Sequence, residues 1–285
     1  MKEQEVETRV AQVGVRSQTR RQVIAGTGVL ALGALASGCT AAYGTRTGGT
    51  ARGPMVLVHG AWHGGWCWKK VTPLLTAAGH MVYTPTLTGL GDRAHLARPD
   101  VSLDTHIQDV LALLEMEDLR DVMLVGHSYA GMVISAVAER ARPRLRSLVY
   151  LDAFVPQNGK ALIDYVPEPE RRVAMVKSGL ETGYITPIPL KVYGVTREED
   201  LAWANPRIFK QPFHTFNQPV LLEQPAASGL PRAFIACTNS AYRTFDQFAE
   251  VIKKDASWKF YDLATGHDAM ITVPQELAQI LQELA

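Results

Sequence analysis

From residue 54 onward, short unbroken apolar runs alternate with stretches whose apolar residues recur every three or four positions. Met55-Val56-Leu57-Val58 is the first run, and others fall at 81–83, 122–125, 148–151, 233–236 and 259–261. Runs of this length, apolar at successive positions, predict strands buried on both faces. Helical patterns lie between them at 66–78, 132–140 and 245–253. The stretch 103–116 carries apolar residues at 103, 107, 110, 111 and 114, the spacing of one helix face. Residues 274–284 predict a closing helix with proline at its start. Strands alternating with helices, without hairpin signals, predict an α/β fold: a mostly parallel central sheet flanked by helices.

One interval breaks the alternation. Between Phe154 and Leu230 the chain is proline-rich, shows no strand pattern and holds only short amphipathic pieces. So long an insert between two core strands predicts a small helical cap at about 155–230. It would cover the C-terminal edge of the sheet, where open α/β sheets bind ligands.

The first 53 residues follow another pattern. Arg20-Arg21 stand directly before an apolar stretch, 23–36, that is too short to span a bilayer as a lone helix. The stretch fits the apolar region of a signal peptide with its charged leader. The paired arginines make it resemble a twin-arginine export signal. Ala36-Ser37-Gly38-Cys39 resembles a bacterial lipobox, with Ala36 where leucine is usual. Lipidation of Cys39 would tie the chain to a membrane surface without a spanning helix. Residues 1–39 are therefore expected to be an export signal, and the chain a periplasmic or cell-surface lipoprotein. The alternative is a cytoplasmic protein whose N-terminal stretch is a buried or interfacial helix. Residues 40–53, rich in Gly and Thr, read as a flexible tether. The folded domain is expected over 54–285.

Composition narrows the function classes. Apolar residues make up 47% of the 285, enough for one sizeable core. Lys plus Arg number 29 against 28 Asp plus Glu, so the chain lacks the basic excess that nucleic-acid binding uses. Cys67 and Cys237 sit in apolar contexts without metal-binding spacing and read as buried small hydrophobes. Whether they pair is left open.

The chemistry centres on Gly126-His127-Ser128-Tyr129-Ala130. A strand precedes it and a helical pattern follows. This is the setting of a nucleophile elbow, in which a serine sits on a tight strand-to-helix turn between small residues. Gly126 and Ala130 fill the small positions, although the second is usually Gly. Gly266-His267-Asp268 follows the last strand, which puts His267 at the same sheet edge as Ser128 and makes it the candidate base. His127 neighbours the serine but is expected to point elsewhere. His59 is expected to brace the loop after the first strand, and His63 to face the pocket. The oxyanion hole needs two backbone N–H groups. One is expected from Tyr129, the other from Ala61, with Trp62 if the register differs by one. Trp62 and His63 are the candidate substrate-binding residues.

The run 56–68, opening Val-Leu-Val-His-Gly-Ala-Trp-His-Gly-Gly-Trp-Cys-Trp, resembles the plant methylesterase and hydroxynitrile lyase family and related bacterial esterases. So do 74–80, Gly126-His127-Ser128, 234–238 and Gly266-His267. The resemblance implies an α/β-hydrolase fold without a cofactor, acting on small esters or cyanohydrins. It also implies an acid on the loop after the strand holding Cys237, and here this chain departs: Ser240 stands there. Asp246 is the next acid but falls in a helical pattern. Asp152 ends the strand after the nucleophile helix, a position from which some haloalkane dehalogenases and lipases supply their acid. An acid at either strand end would reach the same histidine, so the expected triad is Ser128, His267 and Asp152, with Asp246 as the alternative.

The expected function is a serine carboxylesterase hydrolysing small, apolar esters. Three readings compete with it. The first is a lyase of hydroxynitrile type, whose plant members carry a lysine where Asp268 stands. The others are a cofactor-free dioxygenase and a non-catalytic ligand receptor on the same fold. Export has its own check: mass spectrometry of the purified protein should find a mature chain beginning at Cys39, and an unprocessed Met1 would rule it out.

Overall fold

The computed structural model describes residues 53–226 and 229–285. The expected export signal, Cys39 and nearly all of the expected tether lie outside the described residues. In chain order the first half contains β1 (Met55–Val58), a 3-10 helix (Gly65–Lys70), α1 (Thr72–Ala77), β2 (Val82–Tyr83), α2 (Leu103–Met116), β3 (Val122–His127), α3 (Ala130–Ala141) and β4 (Leu145–Leu151). An insert follows with α4 (Pro169–Thr182), β5 (Tyr184–Ile185), α5 (Glu198–Ala204), β6 (Gln211–Pro212) and α6 (His214–Asn217). The chain then returns through β7 (Arg232–Cys237), α7 (Asp246–Ile252), β8 (Lys259–Leu263), α8 (Ala269–Thr272) and α9 (Pro274–Leu284).

Six strands form one sheet in the order β2-β1-β3-β4-β7-β8, and every pairing is parallel. The central strands β1 and β3 are buried along their whole length, as continuous apolar runs require. Edge strand β8 is only partly buried. In α2 the residues Leu103, Ile107, Val110 and Leu114 face the core, the face its periodicity predicts. Ser102 starts that helix: its hydroxyl accepts the Thr105 N–H, and the Thr105 hydroxyl accepts the Ser102 N–H. The reciprocal pair satisfies two amides that a helix start leaves unpartnered. No described helix is long and apolar enough to cross a membrane.

Two elements differ from expectation. The helix predicted over 66–78 is two pieces, because Pro73 has no N–H to continue a helix and sits instead in the first turn of α1. The insert holds a small antiparallel pair, Tyr184 opposite Pro212 and Ile185 opposite Gln211, where no strand was expected. Two-residue strands are too short to show an alternating pattern.

Buried histidines brace the loops at the sheet's C-terminal edge. His59 accepts the Leu87 N–H on Nε2 (3.0 Å) and donates from Nδ1 to the Gly60 carbonyl (2.8 Å), the bracing role expected of it. His106 donates from Nε2 to the Thr88 carbonyl (2.9 Å) and accepts the Tyr129 hydroxyl on Nδ1 (2.9 Å). Burial lowers the pKa of His59 to about 3 and of His106 to about 4, and puts His127 well below its usual value.

All three stay neutral when folded, whereas the unfolded chain protonates them near pH 6.5. Below that pH the unfolded state binds more protons, so stability falls as pH drops. Each group contributes up to about 1.4 kcal/mol per pH unit until its folded value is reached. Two buried groups oppose them: His63, whose value the neighbouring Asp268 raises, and Asp152, whose carboxyl burial raises; the three lowered imidazoles outweigh these two. The urea midpoint should therefore be lower at pH 5 than at pH 7. An equal or higher midpoint at pH 5 would contradict the neutral assignment.

Candidate active site

Ser128 follows the last residue of β3 and takes a left-handed backbone, φ 55°. Its N–H donates to the Leu151 carbonyl (3.1 Å), and its carbonyl accepts the N–H groups of Gly131 (3.1 Å) and Phe154 (3.2 Å). The turn is tight enough to dictate its neighbours. A Cβ on Gly126 would lie 2.9 Å from the Ala130 carbonyl oxygen. A Cβ on Gly60 would lie 2.9 Å from the Ser128 Cβ. Small residues are thus required around the serine, and Ala130 satisfies its position without being glycine.

Asp152 follows β4, also with a left-handed backbone, φ 42°. Its N–H donates to the Ile235 carbonyl (2.8 Å). Its Oδ2 accepts from His267 Nδ1 at 2.7 Å, and its Oδ1 accepts the Cys237 N–H at 3.3 Å. Burial raises the Asp152 carboxyl above the usual carboxylate range, against the lowering effect of His267 and the Cys237 amide. Asp246, the alternative acid, instead pairs with Arg243 Nε at 2.5 Å on the half-exposed start of α7. Ser240, at the position where the resembling family keeps its acid, accepts the Tyr242 N–H (3.1 Å).

His267 lies on the loop after β8 and is only 1% exposed. Phe245 stacks on its ring at 4.8 Å, and Tyr193 and Tyr242 lie at 4.8 and 5.6 Å. Gly266 lets the cap approach: a Cβ there would meet the Tyr193 carbonyl oxygen at 2.5 Å. An imidazole donating from Nδ1 to a carboxylate keeps its lone pair on Nε2, the form a general base requires.

The loop after β1 carries the expected oxyanion donors. Trp62 is left-handed, φ 64°, and every polar backbone group it has is engaged with the cap. Its N–H donates to Gln211 Oε1 (3.0 Å), and its carbonyl accepts the Phe209 N–H (3.1 Å). The indole Nε1 donates to the Ile185 carbonyl (3.2 Å). The Trp62 amide is therefore occupied. Among the described residues neither the Ala61 nor the Tyr129 N–H donates a hydrogen bond. Trp62 also forms part of an aromatic wall, edge-on to Phe216 at 5.7 Å and stacked on Tyr193 at 6.1 Å.

Two histidines are not where the sequence reading put them. His63, expected to face the pocket, turns into the interior. Its Nδ1 reaches the Ala61 carbonyl (2.7 Å), its Nε2 lies 3.3 Å from Asp268 Oδ2, and its ring stacks on Trp66. His127, expected to point elsewhere, packs its ring 4.5 Å from that of His267 and donates from Nε2 to the His267 carbonyl (3.0 Å). Nothing local signals either orientation, since both partners come from the far end of the chain. His127, His267 and Asp268 also bring ligand-type atoms within 4.8 Å of one another. Of these, His267 Nδ1 and His127 Nε2 already hold protein partners. Cys67 and Cys237 are free and buried.

Ser128 is only 7% exposed, so the cap roofs the site. A groove of about 730 Å³ between the start of the insert and α7, lined by Val155, Leu222, Phe248 and Trp258 among others, includes neither Ser128 nor His267.

Comparison with known proteins agrees with this fold. A carbendazim hydrolyzing esterase of Nocardioides sp. is 42% identical over 238 residues, covering 80% of this chain and 98% of that protein. Methylesterase 10 of Arabidopsis thaliana is 25% identical over 255 residues, covering 81% and 90%. An extracellular alpha/beta-hydrolase from a Paenibacillus species has the same fold, with TM-score 0.68 and 20% identity over 81% of this chain and 98% of that one. The model of the alpha/beta hydrolase family matches residues 55–280, the whole sheet and its cap, and this chain belongs to that family.

Proposed function

We propose that the protein is a serine carboxylesterase in which Ser128 is the nucleophile, His267 the general base and Asp152 the acid that orients it. The observation that carries this reading is the buried 2.7 Å hydrogen bond from His267 Nδ1 to Asp152, at the same sheet edge as a serine on a strained elbow. His267 Nε2 takes the Ser128 proton as the hydroxyl attacks the ester carbonyl. The amides of Ala61 and Tyr129 receive the oxyanion of the tetrahedral intermediate. His267 then protonates the departing alcohol and activates water, which releases the acid from the acyl-enzyme. Asp152 holds the tautomer and stabilises the imidazolium without itself taking the proton.

The substrate we infer is a small, apolar ester. The aromatic wall of Trp62, Phe216 and Tyr193 over a nearly closed site supports it, as do the names of an esterase and a methylesterase among the relatives. The lyase reading is weakened by Asp268, which stands where the resembling lyases carry lysine and is wholly buried. For the N-terminal segment we infer export and lipidation at Cys39, on the strength of the Arg20-Arg21 pair, the apolar stretch and Ala36-Ser37-Gly38-Cys39.

A fluorophosphonate should label Ser128 stoichiometrically; an unlabelled, folded protein would overturn the reading. On a p-nitrophenyl ester, Asp152→Asn should lower kcat by about 10³–10⁴-fold. Asp246→Asn, which breaks only an exposed ion pair, should stay within about threefold of the parent. The reverse order would return the acid to the loop after β7.

A further inference from the structure

Asp268 is the least expected charge in the molecule. Its carboxylate is fully buried, and among the described residues neither oxygen accepts a hydrogen bond. His63 Nε2 lies 3.3 Å from Oδ2, an ion contact without hydrogen-bond alignment, and His127 Nε2 lies 3.9 Å from Oδ1 while donating to the His267 carbonyl. A carboxylate taken wholly out of water persists only where a cation or a proton compensates it. Burial alone would lower the pKa of His63, but the Asp268 carboxylate outweighs that and raises it. With Nδ1 at the Ala61 carbonyl and Nε2 facing Oδ2, both ring nitrogens point at acceptors, the arrangement of a protonated imidazole, and we take His63 as the cation of the pair.

The same imidazolium has a second contact. Its Nδ1 donates to the Ala61 carbonyl at 2.7 Å. The pair therefore joins two parts of the site that are far apart in sequence. One end holds the peptide that follows the Ala61 amide on the oxyanion loop. The other end is the residue directly after His267. The Trp66 ring stacked on His63 at 5.4 Å keeps the imidazolium in plane for both contacts.

We propose that the His63–Asp268 pair is a positioning element: a buried tie between the oxyanion loop and the base loop that sets the spacing between the Ala61 amide and His267. The inference rests on the esterase reading above. Neither side chain touches the reacting atoms. They act by holding Ala61 and His267 in register, where a displacement of about 1 Å costs on the order of 100-fold in rate.

The test uses the full chain, with active sites counted by fluorophosphonate labelling before any rate is compared. A wild-type protein that does not label refutes the esterase reading itself, independently of the tie. Given labelling, Asp268→Asn should lower kcat per labelled serine by at least about tenfold while KM stays within about twofold. His63→Gln strands a buried carboxylate and should lower the melting temperature sharply. The double variant His63→Gln/Asp268→Asn removes both charges, so its melting temperature should recover relative to His63→Gln while kcat stays low. A purely structural pair predicts otherwise, with kcat recovering alongside stability. That result, or a wild-type kcat in Asp268→Asn, would overturn the proposal. If His63→Gln or the double variant does not fold, Asp268→Asn alone decides.

Discussion

Three residues held in a left-handed backbone set the geometry on which the rest of the site depends. Five non-glycine residues among those described have a positive φ. Two, Asp118 and Asp121, are turn aspartates, a residue type that tolerates this region. The others are Ser128 and Asp152, each directly after a core strand, and Trp62, four residues after the end of β1. Such a conformation costs roughly 1–3 kcal/mol per residue and persists only where the surroundings over-determine it. Here the surroundings are neighbouring strands: Ser128 is tied to Leu151 and Phe154, and Asp152 to Ile235. Because β3, β4 and β7 lie side by side in parallel, Ser128 and Asp152 are delivered to one edge in fixed register.

Trp62 is held differently, and the difference matters for the cap. Its strain is supported by Gln211, Phe209 and Ile185, all from the insert. The loop after β1 is therefore shaped from above by the cap, whereas Ser128 and Asp152 are shaped from within the sheet. Gln211 is itself buried and held through its Nε2 by the Thr215 hydroxyl. The Tyr193–Gly194 backbone likewise lies against Gly266, beside the base. Cap and site form one packed unit, so changes in the cap sequence act on catalytic geometry as well as on the space a substrate meets.

The sheet was readable because its strands are buried on both faces and so appear as unbroken apolar runs. The elbow was readable because tight backbone contacts restrict residues 126 and 130 to small side chains. What escaped was long-range or very short. The β5–β6 pair has two residues per strand, less than one full alternation. The inward turn of His63 depends on Asp268, and the packing of His127 on His267, partners supplied only when the chain has closed its sheet. Periodicity reports which face of an element is buried, not which charged group will be found beneath it. Trp62 illustrates both sides: its place on the loop was legible, but the engagement of its amide by Gln211 was not.

The acid shows how the fold tolerates a change that the resembling sequences alone would make look damaging. In the family this chain resembles, the carboxylate sits after the strand that holds Cys237, where this chain has Ser240. The structure keeps that strand engaged all the same. The Cys237 N–H donates to Asp152 Oδ1, so the strand that no longer carries the acid helps hold it. Asp152 needs that support, because burial raises its carboxyl and favours the neutral form. A single bond from His267 would leave one oxygen without a partner in a low-dielectric site. The second bond satisfies it and fixes the carboxylate plane toward His267 Nδ1. Since β4 and β7 are adjacent, the carboxylate at the end of β4 faces the imidazole while β7 contributes the amide. Asp152 at the end of β4 thus holds His267 Nδ1 with an amide of β7 in support.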